Sequence, residues 1–123
     1  MAEKSRLRRT ISRWASTDDQ HARELRRTFA AQEGAGIDQI GDAVDRERVC
    51  LRGTLRTVTL RPRGGVPALE AELYDGTGSI TVIWLGRRQI AGVVPGRSVE
   101  VQGRIGRHDG QRIMYNPRYE LMP

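Results

Sequence analysis

From Val49 onward the chain alternates: Val49, Leu51, Gly53 and Leu55 fall on one parity, and Cys50, Arg52, Thr54 and Arg56 on the other. A period of two sends successive side chains to opposite faces, so the spacing predicts a strand with one buried face. The run Arg61-Pro62-Arg63-Gly64-Gly65-Val66-Pro67 cannot sit inside a sheet. Its prolines lack the ladder N–H and its paired glycines favour a loop. Leu69, Ala71 and Leu73 then alternate with Glu70, Glu72 and Tyr74 in a second strand. Asp75-Gly76-Thr77-Gly78 supplies the positive-φ positions of a hairpin turn, and Ile80, Val82 and Trp84 carry a third strand. Arg87 to about Ala91 leaves room for one turn of helix before Gly92, Pro95 and Gly96 interrupt it. Val99, Val101, Gly103 and Ile105 form a fourth strand, and His108-Asp109-Gly110 turns the chain into a fifth, Arg112 to about Tyr115, with Pro117 at an edge.

Upstream the period lengthens to that of a helix. Leu7, Ile11 and Trp14 recur at i, i+4 and i+7, with Arg6, Arg9 and Arg13 elsewhere around the same helix. After a break near Ala15-Ser16, Thr17 and Gln20 match a capping box, and Asp18 and Asp19 suit the positive end of a helix dipole. A second helix is expected from Asp18 to about Gln32, with Ala22, Leu25 and Phe29 on one face. Glu33-Gly34-Ala35-Gly36 stops it, and Ile37, Ile40 and Val44 form a short apolar connector face. Two units follow: a helical segment with connector over residues 1–47, and a strand domain over residues 48–123.

A meander of three strands, a small helix and a hairpin of two is the arrangement of an OB-fold, a five-stranded Greek-key barrel; the class is mainly β with an N-terminal helical segment. Gly53 and Gly103, inside strands one and four, fit the sharp bending a small barrel demands, or mark close packing. The runs Val49-x-Leu51-x-Gly53, Leu73-x-Asp75-x-Thr77-Gly78-x-Ile80-x-Val82, Pro95-Gly96-Arg97-x-Val99-x-Val101-x-Gly103 and Asn116-Pro117-x-Tyr119 carry a likeness. They resemble the wedge-domain OB-fold of RecG-type helicases and, more loosely, the tRNA anticodon-binding OB-fold of class II aminoacyl-tRNA synthetases. The whole chain is similar to small stand-alone actinobacterial OB-fold proteins with a helical head. What the resemblance implies is nucleic-acid binding. No Walker-type Gly-x-x-x-x-Gly-Lys-Ser/Thr occurs, so a helicase motor is not expected here.

Charge sharpens that expectation. The net charge is +6 and the isoelectric point about 10.6, which points to a polyanionic partner because basic side chains displace counterions from phosphates. Residues 1–27 hold 8 basic and 4 acidic groups, residues 28–47 hold 1 and 5, and residues 48–123 hold 12 and 6. All the basic residues except Lys4 are Arg, which favours bidentate phosphate contacts and stacking, although a GC-rich genome gives the same bias. The single Cys50 cannot form an internal disulfide, and with only His21 and His108 beside it there is no metal-ligand spacing, so neither metal nor cofactor is expected. No apolar stretch is long enough to cross a bilayer, and none follows the basic N-terminus as a signal peptide requires. A cytoplasmic protein that does not engage membranes is expected.

OB-folds take oligonucleotides across strands two and three and the loops after strands one and four. The candidate contacts are therefore Arg61 and Arg63 in the first loop, Arg107, His108 and Arg112 around the second, and Arg87 and Arg88 after strand three. Tyr74 is the candidate stacking platform, whereas Trp84 continues the apolar stripe of Ile80 and Val82 into the core. Glu70 and Glu72 share the outward parity of Tyr74 and would repel a polyanion, which shifts the expected grip toward the loops and toward Arg52, Arg56 and Arg104. No His, Lys or metal ligand completes an acid/base site around those carboxylates, so no enzyme is expected. The first functional reading is sequence-tolerant binding of single-stranded or branched DNA, with RNA or tRNA as a variant. A second makes the barrel a protein-interaction module that recruits a partner, or self-associates, through Leu7, Ile11, Trp14, Leu25 and Phe29.

Overall fold

The computed structural model describes residues 19–28 and 36–123. The stripe of Leu7, Ile11 and Trp14, and Phe29 of the second helix, lie outside those residues. Residues 19–28 are helical, with Ala22 and Leu25 the two partly buried positions.

Seven strands make one sheet: β1 (Arg48–Leu60), β2 (Ala68–Tyr74), β3 (Ser79–Leu85), β4 (Ser98–Arg104), β5 (Gly106–His108), β6 (Gln111–Tyr115) and β7 (Arg118–Leu121). Their order is β5-β6-β3-β2-β1-β4-β7. All pairings are antiparallel except that of β3 with β6. The sheet thus has seven strands where five are expected, and its hydrogen-bonded order is open. Two local causes account for the difference. The expected fourth strand breaks at Ile105 into β4 and β5, and the chain beyond Pro117 adds β7 on the outer edge of β4. An edge strand needs no apolar alternation, so Arg118-Tyr119-Glu120-Leu121 carries no readable strand signal. Because only Ile105 separates β4 from β5, the end of β4 and the start of β5, from opposite halves of the order, lie within about 7 Å of each other, and the sheet curls.

The alternation read in the sequence sets the core. Leu51, Leu55, Leu73, Ile80, Val82, Val99, Val101, Ile105 and Met114 are at most 2% exposed. Trp84 joins this core, donating from Nε1 to the Pro117 carbonyl at 3.2 Å and meeting Tyr119 edge-on. In β1 the register slips between Leu55 and Thr57, so Arg56 is an inserted bulge residue. A bulge bends a strand and re-aims a side chain. Here it lets one long strand pair with β4 over its first half and with β2 over its second. Gly53 marks the crossover: a Cβ there would lie 2.8 Å from the Tyr74 carbonyl oxygen.

Residues 86–97 contain no helix, against expectation. Only five residues separate Gly86 from Gly92, both at positive φ, and a helix that short cannot repay its nucleation. A turn closed by the Val93 N–H on the Ile90 carbonyl (3.0 Å) instead plugs Ile90 and Val93 into the core. The β1–β2 loop ends in a two-residue turn, Gly64-Gly65, both at positive φ, closed by reciprocal hydrogen bonds between Arg63 and Val66.

The connector packs on the sheet. Asp38 bridges Leu51, and Ile40, in a single 3-10 turn (Ile40–Asp42), is wholly buried, whereas Val44 is exposed. Asp75 holds this arrangement together. It is 3% exposed, and its Oδ2 accepts the Ile40 N–H at 2.9 Å. Its Oδ1 accepts the Thr77 N–H (2.9 Å), the Thr77 hydroxyl (2.6 Å) and the Gly78 N–H (3.2 Å). Thr77 in turn accepts the Gly41 N–H. The helix of residues 19–28 lies against the same turn, with the backbone of Ala22 and Arg26 pressed on Gly76.

Candidate nucleic-acid interface

The outward parity of β2 and β3 presents Glu70, Glu72 and Tyr74 beside Thr81 and Ser79, while Ile83 on the same parity is buried with Ala68 and Ile113. Three features shape this face. The bulge aims Arg56 across it, with the guanidinium 3.5 Å from the Tyr74 ring centroid and Nε 3.1 Å from Glu72. The Gly64-Gly65 turn brings Arg63 to 3.6 Å from Glu70, with a long 3.5 Å contact from Arg63 Nη1 to the Tyr115 hydroxyl. The β5–β6 hairpin walls off an open cleft of about 400 Å³ against β3, lined by Glu72, Thr81, Arg107, Gly110, Gln111 and Arg112.

These contacts change the electrostatics expected of the face. Glu70 and Glu72 are counterions to Arg63 and Arg56 rather than unopposed carboxylates. The Arg56–Glu72 pair is exposed, and an exposed ion pair contributes at most about 1 kcal/mol, so a phosphate can compete for Arg56. The Arg63–Glu70 pair is the looser of the two. Arg63 Nε and Glu70 Oε2 are buried yet lack a hydrogen-bond partner among the described residues, a state that native proteins rarely leave uncorrected.

The sequence-predicted residues separate into groups. Arg56, Arg63 and Tyr74 meet on the β2–β3 face. Arg107 stands at the cleft, paired with Asp45 and donating to the Gly110 carbonyl at 3.1 Å. His108 lies at the hairpin tip, 3.4 Å from Asp109. Arg61, Arg87 and Arg88 are exposed at the opposite end of the face, where Gly86 bonds to Pro67; Arg87 and Arg88 pair with none of the described residues. Arg112 lines the cleft but spends its donors on the carbonyls of Ile40 (2.6 Å), Ala43 (3.3 Å) and Ser79 (3.3 Å), clamping the connector to β3. Arg52 and Arg104 lie on another part of the sheet. Arg52 pairs with Glu100 at 2.8 Å, and Arg104 donates to the Arg46 carbonyl at 2.6 Å. Between them Cys50 is partly buried, and burial, reinforced by Glu100, pushes its thiol up, so it stays protonated at neutral pH.

Sequence reasoning passed over Thr81 and Gln111 at the cleft, and Arg48 and Arg118. Arg48 was findable, since it shares the outward parity of Arg52 in the same strand. Arg118 was not, because β7 has no sequence signature.

A curled sheet in which the long first strand pairs with both the second and the fourth, and the third runs parallel to β6 of the last hairpin, is the architecture of an oligonucleotide-binding OB-fold. The chain belongs to the OB-fold nucleic acid binding domain family of the tRNA anti-codon type, whose model matches residues 49–122. No curated protein matches it. Among solved structures it is similar to RecG bound to a three-way DNA junction, with a TM-score of 0.58 and 23% identity, covering 71% of this chain and 12% of that one. It is also similar to the HINb domain of p204, with a TM-score of 0.59 and 13% identity, covering 74% and 49%. The chain thus spans about an eighth of the RecG chain and half of the p204 chain. Among the described residues no helix is long and apolar enough to cross a membrane.

Proposed function

We propose that this domain binds single-stranded or branched DNA with little sequence preference and without catalysing a reaction, in the cytoplasm. The observation that carries the reading is the Arg56–Tyr74 stack on the outer face of β2, beside a cleft that opens onto Arg107. A guanidinium held over a ring extends the contact surface, and every base has a π-face to lay beside it. Arginines at both ends of the face then follow the phosphates. Stacking and phosphate contact do not read base edges, which supports sequence tolerance. The likeness to RecG bound to a DNA junction favours DNA over RNA. Glu70 and Glu72 serve as counterions, which supports a binding role over acid/base chemistry and removes the acidic patch that would recommend this face to a protein partner.

Fluorescence anisotropy with labelled 20-nucleotide DNA and RNA strands tests the proposal. With about four phosphate contacts on a single strand, the log–log salt slope is about −2.8, so raising salt from about 50 to 200 mM weakens binding roughly 50-fold. Tyr74→Ala is expected to cost about 10-fold with the slope unchanged, near the lower end of the stacking range because Arg56 already covers one ring face. Absence of DNA binding at micromolar protein and low salt would overturn the proposal, and tighter RNA binding would reassign the ligand.

A further inference from the structure

On the half of the sheet away from Tyr74, the outward residues of β1, β4 and β7 form a charge gradient. Toward one end Arg52 and Glu100 pair at 2.8 Å, with Glu120 across from Glu100. Toward the other end Arg48 stands directly across from Arg104, and Arg118 across from Gln102, one outward position along β4. These three arginines border an open groove of about 550 Å³ where β4 parts from β6. The rest of its lining is Gln102, Gly103, Ile105, Gly106, Tyr115 and Asn116, with no carboxylate.

Two features set this groove apart from the β2–β3 face. Around the stack and the cleft of that face, Arg56, Arg63 and Arg107 each have an acidic partner, whereas none of Arg48, Arg104 and Arg118 is paired with a carboxylate of the described residues. In addition, like charges directly opposite across an antiparallel pair destabilise a sheet, and Arg48 and Arg104 are so placed. An anion seated between them relieves that repulsion. A hydrogen bond to the Arg46 carbonyl fixes the Arg104 guanidinium at the groove edge. Tyr115 lines the groove and also meets Arg63 of the β2–β3 face, so the two surfaces adjoin at one side chain.

We infer that Arg48, Arg104 and Arg118 form a second nucleic-acid site, a groove for the phosphodiester backbone of the same DNA whose bases stack on the β2–β3 face. This rests on the DNA-binding reading above and extends it. The groove has one aromatic ring and no ion pair to break, so it contributes charge neutralisation rather than stacking. A strand long enough to pass Tyr115 occupies both surfaces, and a short one occupies the face alone.

The test uses the full chain, Arg48→Gln/Arg118→Gln, and anisotropy titrations over a salt series with labelled DNA strands of 20 and 6 nucleotides. Arg104 is kept so that its bond to Arg46 survives. Losing two phosphate contacts should reduce the magnitude of the 20-mer's salt slope by about 1.4 and its low-salt affinity about 10-fold. The 6-mer should bind the variant and the wild type alike. Thermal melting without DNA should show the variant at least as stable as wild type, because a repulsive pair is gone. If the wild type binds and the variant keeps both its 20-mer affinity and its slope, the groove is overturned while the face reading stands. Equal loss with the 6-mer and the 20-mer, or a lowered melting temperature in the variant, also overturns it. If Tyr74→Ala binds like wild type while the double variant loses affinity, the groove stands and the face reading falls.

Discussion

Asp75→Ala is expected to lower the unfolding free energy by about 4 kcal/mol, the largest effect of any single polar substitution in this domain. The carboxylate accepts four hydrogen bonds: from Ile40, from the Thr77 backbone and hydroxyl, and from Gly78. Truncation strands all four donors. The Ile40 N–H is enclosed by core and cannot turn to water, so it carries the full desolvation cost of about 2 to 3 kcal/mol; the three turn donors, partly accessible, add a fraction of that each. Because total stabilities run from about 5 to 15 kcal/mol, the loss is a large share of the whole and corresponds to a fall in Tm on the order of 20 °C. Asp75→Asn keeps an oxygen for the turn but opposes an amide donor to the Ile40 N–H, and is expected to cost about 2 kcal/mol. Urea unfolding followed by circular dichroism measures both. An alanine variant within about 1 kcal/mol of wild type would contradict the role assigned to Asp75.

Gly53→Val is expected to cost more than about 3 kcal/mol and to leave much of the protein unfolded or insoluble. Elsewhere in a strand a glycine is a weakness, and a β-branched replacement helps. At Gly53 the sign reverses, because the space a Cβ needs is filled by the Tyr74 carbonyl oxygen and carbon at 2.8 and 3.1 Å and by Leu73 Cγ at 3.0 Å. Those are mostly backbone atoms of a paired strand and cannot rotate aside. Separating β1 from β2 at this point would also displace the bulge that carries Arg56. Gly106 provides the contrast. A Cβ there meets nothing nearer than the Ile113 carbonyl oxygen at 3.7 Å, so Gly106→Ala should be neutral or slightly stabilising. Thermal melts of the two variants side by side separate crowding from a general intolerance of strand glycines.

The core was legible because its physics is local. Period-two alternation placed Leu51, Leu55, Leu73, Ile80, Val82, Val99 and Val101 on the buried side, and each is buried. What escaped depends on partners distant in the chain. Asp75-Gly76-Thr77-Gly78 reads as turn chemistry, yet its aspartate is the acceptor for a backbone N–H 35 residues upstream. Asn116-Pro117 reads as the end of a strand. In the structure Asn116 takes a positive φ of 47° and its side chain caps the Leu85 N–H, joining β6 to the end of β3.

The site was legible only in outline. Alternation alone puts Glu70 and Glu72 on the same surface as Tyr74, which looks hostile to a polyanion. The bulge at Arg56 and the Gly64-Gly65 turn convert both into ion pairs, and neither the register slip nor the direction of Arg63 can be read from the strand pattern. Arg112, a binding candidate by its charge, is occupied with three carbonyls for reasons that only the packed connector reveals.

The most direct test of the central claim is a titration of the 15N-labelled protein with a single-stranded DNA 20-mer, followed residue by residue through its amide resonances. The structure predicts the largest shifts at Arg56, Tyr74, Thr81, Gly110 and Gln111, around the stack and the cleft, with small ones at the Arg52–Glu100 end of the sheet. Shifts confined to that end, or none across the β2–β3 face at saturating DNA, would contradict it.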